Sequence, residues 1–277
     1  MNNTVIRSLS GVMFLIIMTG SLLMSPVVFA IVMLVSIFIM NREYLGTALG
    51  KSYRLTSGIA IFTGLTLYSL FFIHYGYGAE SSLFWLLVFP VSALFISVIY
   101  EKATTDNYIK SNFAIVSLLY ISLPFALTNT IIFNENSLYD PTLLLSLFII
   151  LWSCDVGAYV FGMAFGQKGK HKLFPSISPK KSWEGFFGGA LSALITAGIL
   201  YYTGLLELTL THSIALSLIV FIFSVLGDLA ESLFKRNFGV KDSGSLMPGH
   251  GGLLDRFDGA LIAFPAAIAY IKLFELF

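Results

Sequence analysis

The chain has 277 residues, of which 57% are hydrophobic and only 11% are charged, and its formal net charge is +1. Soluble domains carry about 25% charged residues, so this composition excludes an ordinary water-soluble protein and a disordered one. It is typical of a helical membrane protein with several spans, and the near-neutral charge indicates no nucleic-acid partner. The single cysteine, Cys154, excludes an internal disulfide and a cysteine-based zinc site.

Long unbroken apolar runs predict a polytopic all-α protein, because a span needs about 20 mainly apolar residues whereas barrel strands alternate. The nine predicted spans are 8–24, 26–41, 57–74, 82–100, 112–132, 141–163, 185–203, 212–231 and 257–275. Only Ser25-Pro26 separates the first two, so residues 8–41 are compatible with two spans, one long helix or a re-entrant hairpin. No cleavable signal peptide is predicted, since a single basic residue, Arg7, precedes the apolar stretch.

The basic residues indicate how the spans are oriented. All but one of the 16 Lys and Arg residues precede the first span or follow an even-numbered span, and Lys272 is the exception. The positive-inside rule therefore predicts a cytoplasmic N-terminus and an external C-terminus. Residues 1–140 are predicted to be membrane helices for packing and a candidate lipid cavity. Residues 141–277 are predicted to be a catalytic membrane domain with cytoplasmic loops 164–184 and 232–256.

Four acidic residues interrupt or open predicted spans: Asp155, Asp228, Glu231 and Asp258. An acid inside a span costs about 2.5–3.5 kcal/mol on insertion scales, so each is a functional hypothesis by default. Helical rise predicts that Asp155 and Asp228 lie in the inner third of the bilayer, near the depth of Asp255. Carboxylates at one depth repel each other unless a cation joins them, which favours Mg²⁺. The alternative is that each acid pairs with a nearby base, such as Arg236 or Arg256.

The loop GQKGKHKLFPSISPKKSWEG, residues 166–185, carries five lysines among Gly, Ser and Pro. Ser178-Pro179 favours a turn. Ser182 is a predicted N-cap of the next helix, whose free N–H groups would attract an anion. Lys180 and Lys181 are predicted to collect a phosphate there. The alternative is an anchor on anionic headgroups, which does not explain the compact Pro-Lys-Lys-Ser-Trp-Glu-Gly turn.

The segment SLFKRNFGVKDSGSLMPGHGGLLDRFDG, residues 232–259, combines acids, bases and glycines. Asp228, Glu231 and Lys235 are three and four residues apart, so they are predicted to share one helix face. The stretch 248–252 lacks bulky side chains, which lets backbone N–H groups approach a phosphate. The alternative is a flexible linker, which would not need acids and bases on both flanks.

Together these residues predict carboxylates for a metal and cations for phosphates at the cytoplasmic membrane boundary. The sequence contains no nucleophile–base triad pattern, Walker A loop or dinucleotide fingerprint. The residues therefore indicate metal-assisted phosphoryl or nucleotidyl transfer between a lipid and a soluble substrate.

Two regions, about 152–188 and 224–259, resemble the phosphatidate cytidylyltransferase (CDP-diacylglycerol synthase) family. The downstream motif is Ser232-x-x-Lys235-Arg236, Lys241-Asp242, Pro248-Gly249-His250-Gly251-Gly252 and Asp255-Arg256-x-Asp258. The upstream motifs are Trp152-x-x-Asp155, Ser178-Pro179-Lys180-Lys181-Ser182-Trp183-Glu184-Gly185 and Gly227-Asp228-x-x-Glu231-Ser232. Two departures are Ser182, where Thr is frequent, and Gly259, where Ser is frequent. Neither departure removes a charge.

The resemblance implies transfer of CMP from CTP to phosphatidate, giving CDP-diacylglycerol and pyrophosphate, by a multi-pass enzyme of a bacterial-type inner membrane that is usually a homodimer. It implies dependence on Mg²⁺, with K⁺ as a candidate second cation, and matches Asp228 and Asp255 to the metal-binding aspartates. The motif positions expected to be catalytic are Lys235, Arg236, Lys241, Asp242, His250 and Arg256. Substrate-binding candidates are Ser178, Lys180, Lys181, Ser232, Gly249, Gly251 and Gly252, and supporting candidates are Asp155, Glu184, Glu231 and Asp258.

Other functions remain open from the sequence. The same residues would serve another CTP-using membrane enzyme, such as a polyprenol kinase or an ether-lipid cytidylyltransferase. A transporter or channel would use intramembrane acids as an ion path, but it is expected to show internal repeats, and none is evident. A CDP-alcohol phosphotransferase is disfavoured because its motif of spaced aspartates is absent from the sequence.

Overall fold

The computed structural model describes residues 3–101, 107–134, 136–166, 171–247, 249 and 251–277. Helices dominate this part of the chain, with one two-stranded sheet, so the all-α prediction is confirmed. The chain forms two compact units. The first unit comprises Met1–Tyr139 with Val240–Phe257, and the second unit comprises Asp140–Gly239 with Asp258–Phe277. The predicted functional division at residue 140 stays a prediction.

The described residues of the first unit form six α-helices before residue 139. They are α1 (Asn3–Met24), α2 (Pro26–Ala48), α3 (Arg54–Tyr77), α4 (Val88–Tyr100), α5 (Asn107–Ser117) and α6 (Leu123–Ile132). A 3₁₀ helix, Ser81–Leu87, leads into α4, and a π-helical turn, Leu118–Ser122, joins α5 to α6. Ser25 is extended, and its hydroxyl accepts a hydrogen bond from the N–H of Val28 at 3.2 Å. Residues 8–41 therefore form two helices, and the alternative of one long helix is wrong.

The second unit contains a long helical hairpin with a small sheet at its connection. Its elements are α7 (Thr142–Phe165), β1 (Lys172–Phe174), β2 (Ser178–Ser182), α8 (Trp183–Tyr202), α9 (Leu210–Asn237) and the part of α10 (Leu254–Leu273) from Asp258 onward. The strands are antiparallel, with Lys172 opposite Ser182. The turn predicted at Ser178-Pro179 is wrong, because both residues lie in β2. Proline is tolerated there because a two-stranded sheet has only edge strands.

Glycines bring the helices of the second unit into close contact. A Cβ atom on Gly185 of α8 would lie 2.8 Å from the carbonyl oxygen of Ala158 on α7. A Cβ atom on Gly227 of α9 would lie 2.5 Å from the carbonyl oxygen of Asp258 on α10. Only glycine permits such approaches of backbone to backbone. As a result, Asp228 lies beside the first residues of α10 that belong to this unit.

Aromatic side chains form the core of each unit. In the first unit Phe257 packs on Phe125, with ring centroids 5.0 Å apart, and on Phe14 at 5.3 Å. In the second unit Phe148 packs on Phe264 at 4.8 Å. These edge-to-face contacts add to the burial of large apolar surfaces. Phe257 thereby anchors the end of the 240–257 segment within the first unit.

Each of the nine predicted spans overlaps a helix or a continuous helical run. Among the described residues, seven helices are long and apolar enough to cross a membrane, and Leu9–Met24 is a shorter apolar helix. The seven are Pro26–Ala48, Arg54–Tyr77, Ser81–Tyr100, Tyr108–Ile132, Thr142–Phe165, Trp183–Tyr202 and Leu210–Asn237. A membrane protein with many helical spans is therefore supported, whereas the number nine and the orientation stay predictions.

Candidate active site

Charged residues of the second unit form a cluster on β2 and α9. The Nζ atom of Lys181 lies 2.6 Å from Oδ2 of Asp228. The other oxygen of Asp228 accepts a hydrogen bond from the hydroxyl of Ser232 at 3.2 Å. Further along the same helix, Nζ of Lys235 lies 2.5 Å from Oε2 of Glu231. Two of the three upstream motifs and the first part of the downstream motif therefore share one cluster.

The two ion pairs differ in exposure. The side chains of Glu231 and Lys235 are 0% and 11% exposed, whereas those of Asp228 and Lys181 are 39% and 25% exposed. A buried pair is held in one geometry, because separating it leaves an uncompensated charge away from water. The Lys181–Asp228 pair is accessible, so a soluble anion or a cation can compete for either partner.

Two further acids of the second unit contribute to the same electrostatic environment. The carboxylate of Asp258 interacts electrostatically with Asp228, Glu231 and Asp155. Its Oδ1 atom accepts a hydrogen bond from the N–H of Gly259 at 2.7 Å. Four carboxylates therefore act on a region that contains two paired lysines. Such a concentration of negative charge attracts a cation.

The hairpin places its two adjacent lysines differently. The side chain of Lys181 reaches Asp228, whereas that of Lys180 is exposed, since neighbouring strand residues point to opposite faces. The hydroxyl of Ser182 accepts a hydrogen bond from the N–H of Gly185 at 3.2 Å. The predicted N-cap of the helix after the hairpin is therefore confirmed.

In the first unit, Asp255 organises the glycine-rich segment. Its Oδ2 atom accepts hydrogen bonds from the N–H and hydroxyl of Ser243, at 3.0 and 2.9 Å, and from the N–H of Gly252 at 2.7 Å. Gly251 has a φ of +91°, which favours glycine, and pairs with Met247 through two backbone hydrogen bonds. The N–H of Gly252, predicted to face a phosphate, is thus bonded to a carboxylate.

Glu43 of α2 is a residue that the sequence analysis missed. Its Oε1 atom accepts a hydrogen bond from the N–H of Leu253 at 3.0 Å, and its Oε2 atom accepts one from the N–H of Leu254 at 2.8 Å. The hydroxyl of Ser243 lies 3.4 Å from the same Oε2 atom. In the sequence, Glu43 is one of the polar residues that follow the predicted span 26–41, a position where charged residues are common. No local pattern distinguishes it.

The remaining predicted site residues take several positions. Those that are exposed are Arg236, Lys241, Asp242, Gly249 and Arg256, and those that are partly exposed are Ser178, Glu184 and Gly251. Glu184 lies 3.4 Å from the Nδ1 atom of His171. His250 and Pro248 lie outside the described residues. Asp228 and Asp255 belong to different units, so their predicted sharing of a metal stays a prediction.

The carboxylates fit the chemistry of a hard cation. No group of three or more His, Cys, Asp or Glu residues in the described ranges is arranged to hold a metal ion. Mg²⁺ usually keeps several waters and binds through one or two carboxylates plus substrate phosphates, so a complete protein cage is not required. Asp228 and Asp258 supply suitable oxygen donors within the second unit.

Comparison with known proteins covers most of the chain. A family model described as the cytidylyltransferase family matches residues 5–274. A phosphatidate cytidylyltransferase of Staphylococcus haemolyticus is 32% identical over 260 residues, which cover 94% of this chain and 96% of that protein. A protein of the same name from Staphylococcus aureus is 37% identical over 187 residues, covering 65% and 69%. One from Staphylococcus epidermidis is 39% identical over 159 residues, so this chain matches 58% of that relative's length.

Proposed function

This chain belongs to the cytidylyltransferase family, and on that premise we propose that it transfers CMP from CTP to phosphatidate, forming CDP-diacylglycerol and pyrophosphate. Membership of the family makes it a CTP-using nucleotidyltransferase. The names of the relatives support phosphatidate as the lipid substrate. The observation that carries the proposal is the 2.6 Å pair between Lys181 and Asp228, because it joins two separate motifs in one charged cluster.

The proposed reaction needs little acid–base chemistry. A phosphate oxygen of phosphatidate attacks the α-phosphorus of CTP and forms a new P–O bond. The bond from that phosphorus to the bridging β-phosphate oxygen breaks, and pyrophosphate leaves with the electron pair. The attacking oxygen is already anionic at neutral pH, so no strong base is needed. The barrier consists mainly of the repulsion between phosphates and of positioning.

The charged cluster of the second unit can reduce the repulsion between the phosphates and position them. Lys181 and the exposed Lys180 hold phosphate oxygens, and Lys181 exchanges its contact with Asp228 for one with the substrate. Lys235 keeps a constant position because Glu231 is paired with it in a buried environment. When bound at Asp228, Mg²⁺ supplies positive charge to the reacting phosphate. Asp155 and Asp258 support this site through their negative charge.

Other parts of the proposal rest on the resemblance alone. They are the metal role of Asp255, the roles of the motif's other polar residues, a second cation such as K⁺, and a homodimer. Apolar helices make this a membrane protein. We place the site at the cytoplasmic face of a bacterial inner membrane, because the basic residues that favour that side include Lys180 and Lys181.

The test uses purified protein in lipid micelles with Mg²⁺ and CTP labelled at either the α- or the γ-phosphate. The lipids are phosphatidate, its ether-linked analogue and a polyprenol. We expect α-label in a lipid product with phosphatidate, together with unlabelled pyrophosphate. Transfer of γ-label to the polyprenol would replace the proposal with a kinase. Faster turnover of the ether-linked analogue than of phosphatidate would mean that the ether lipid, and not phosphatidate, is the substrate. No turnover of CTP with any lipid would overturn the proposal and favour an ion path through the acids.

A further inference from the structure

We propose that Glu43 is a positioning residue that holds Asp255 and the Gly251–Leu254 turn in the geometry used for turnover. The inference concerns only the first unit and rests on the proposed function, in which Asp255 serves the reaction. Glu43 lies outside both motif regions, 210 residues before Leu253 in sequence. Its role is therefore visible only in the folded chain.

The carboxylate of Glu43 binds the first backbone groups of α10. One oxygen accepts from the N–H of Leu253 at 3.0 Å, and the other accepts from the N–H of Leu254 at 2.8 Å. The first N–H groups of a helix have no partner within the helix, and the helix dipole favours negative charge there. A side chain of α2 thus determines where α10 begins, one residue before Asp255.

Ser243 connects the two carboxylates of the turn. Its hydroxyl lies 2.9 Å from Oδ2 of Asp255 and 3.4 Å from Oε2 of Glu43. The same oxygen of Asp255 also accepts from the N–H groups of Ser243 and Gly252. Glu43 therefore holds one side of the turn and Asp255 holds the other. A shift of Leu253 and Leu254 would move the carboxylate of Asp255 with them.

The local sequence leaves room for the carboxylate of Glu43. A Cβ atom on Gly252 would lie 2.6 Å from Oε2 of Glu43 and 2.7 Å from the backbone nitrogen of Gly244. A Cβ atom on Gly244 would also collide with the Glu43 side chain. Glycines at both positions therefore permit the contact.

Glu101 provides a matched control in the same unit. Its Oε1 atom accepts from the N–H and the hydroxyl of Thr56, each at 3.0 Å, at the beginning of α3. It is the same residue type with the same kind of bond to a helix start, but neither Glu101 nor Thr56 belongs to a motif region. If the role of Glu43 is purely structural, substitution of Glu43 and of Glu101 should change stability and the Mg²⁺ requirement of turnover in the same way.

The experiment compares the full-length parent with Glu43→Gln, Glu43→Asp and Glu101→Gln. The readouts are amide exchange at Ser243 and Gly252, thermal stability, and the Mg²⁺ concentration for half-maximal CTP turnover. For Glu43→Gln we expect the carboxylate of Asp255 to shift. Exchange at both amides should then rise by about tenfold, because each amide loses its hydrogen bond to that charged group. We also expect the half-saturating Mg²⁺ concentration to rise severalfold. Glu43→Asp, which keeps the charge, should show smaller changes.

Glu101→Gln should leave amide exchange at Ser243 and Gly252 and the half-saturating Mg²⁺ concentration at the parent's values, whatever its effect on thermal stability. The proposal is overturned if Glu43→Gln leaves exchange at Ser243 and Gly252 unchanged. It is also overturned if both Gln variants lose turnover in proportion to stability with an unaltered Mg²⁺ requirement. If the parent itself does not use CTP, the proposed function fails, and amide exchange alone decides whether Glu43 positions the turn.

Discussion

Three acids of the first unit and two acids of the second unit have different partners. In the first unit, Glu43, Glu101 and Asp255 accept hydrogen bonds from backbone N–H groups at helix starts or turns. In the second unit, Asp228 and Glu231 face lysine side chains. A backbone N–H group is a permanent partner, whereas the accessible Lys181 can exchange a carboxylate for a substrate phosphate. An accessible acid paired with a lysine is therefore a candidate for direct exchange with substrate, whereas an acid bonded to backbone N–H groups holds the backbone around it in place.

The two arrangements also differ in their contribution to the free energy of folding. A carboxylate at a helix start stabilises groups that otherwise lack partners, by about 0.5–2 kcal/mol. A buried ion pair often gives no more stability than apolar residues of the same volume, because both charges lose their water. The buried pair of Glu231 and Lys235 is therefore better explained by function than by stability.

Removing one member of the buried pair should destabilise the protein strongly. Glu231→Gln removes the buried carboxylate that Lys235 contacts, and we expect the free energy of unfolding to fall by about 3–5 kcal/mol. Thermal unfolding in detergent measures the change. Replacing both residues, as Glu231→Gln with Lys235→Met, should recover much of the stability without recovering CTP turnover. Parental turnover in the double variant would show that the pair is only structural.

Removing the accessible lysine should affect catalysis more than stability. We expect Lys181→Met to lower kcat/KM for CTP by about 100-fold, the usual loss for one group that stabilises developing charge. The matched control is Lys172→Met on β1 of the same hairpin, where Nζ lies 3.5 Å from the carbonyl oxygen of Gly166. A similar loss in both variants would mean that general positive charge, rather than the contact with Asp228, explains the effect.

Removing Glu101, which bonds to a helix start outside both motif regions, should have the smallest effect. Glu101→Gln is expected to lower the free energy of unfolding by about 1 kcal/mol, because the start of α3 loses part of its cap. Turnover per folded molecule should remain that of the parent. A large loss of turnover at unchanged stability would contradict the distinction between the acids of the two units.

Much of the fold could be predicted from the sequence because its signals are local. Apolar runs of about 20 residues predict the helices, and Ser182 has the residue type and position of an N-cap. The hairpin of β1 and β2 was not predicted, because its strands are short and its lysines and prolines resemble a loop. The break at Ser25 could not be separated from a continuous helix by composition.

The site could be predicted only in part, because some of its contacts join segments that are distant in sequence. Asp228, Glu231 and Lys235 follow the spacing of one helix, so their shared face is readable from the sequence. The contact between Lys181 and Asp228 joins distant segments and needed the fold. The contacts of Glu43 are even harder to predict, because its partners at Leu253 and Leu254 are backbone N–H groups, which do not depend on the type of side chain.

The proposed function requires that the charges around Asp228 serve CTP chemistry. Its most direct test measures α-labelled CTP turnover with phosphatidate for Asp228→Asn and for Asp140→Asn. Asp140 is a matched control in the same unit, whose Oδ1 atom accepts from the N–H of Thr142 at 2.9 Å. The account predicts a loss of about 100-fold or more for Asp228→Asn, and parental turnover for Asp140→Asn. Full, Mg²⁺-dependent turnover by Asp228→Asn would contradict it.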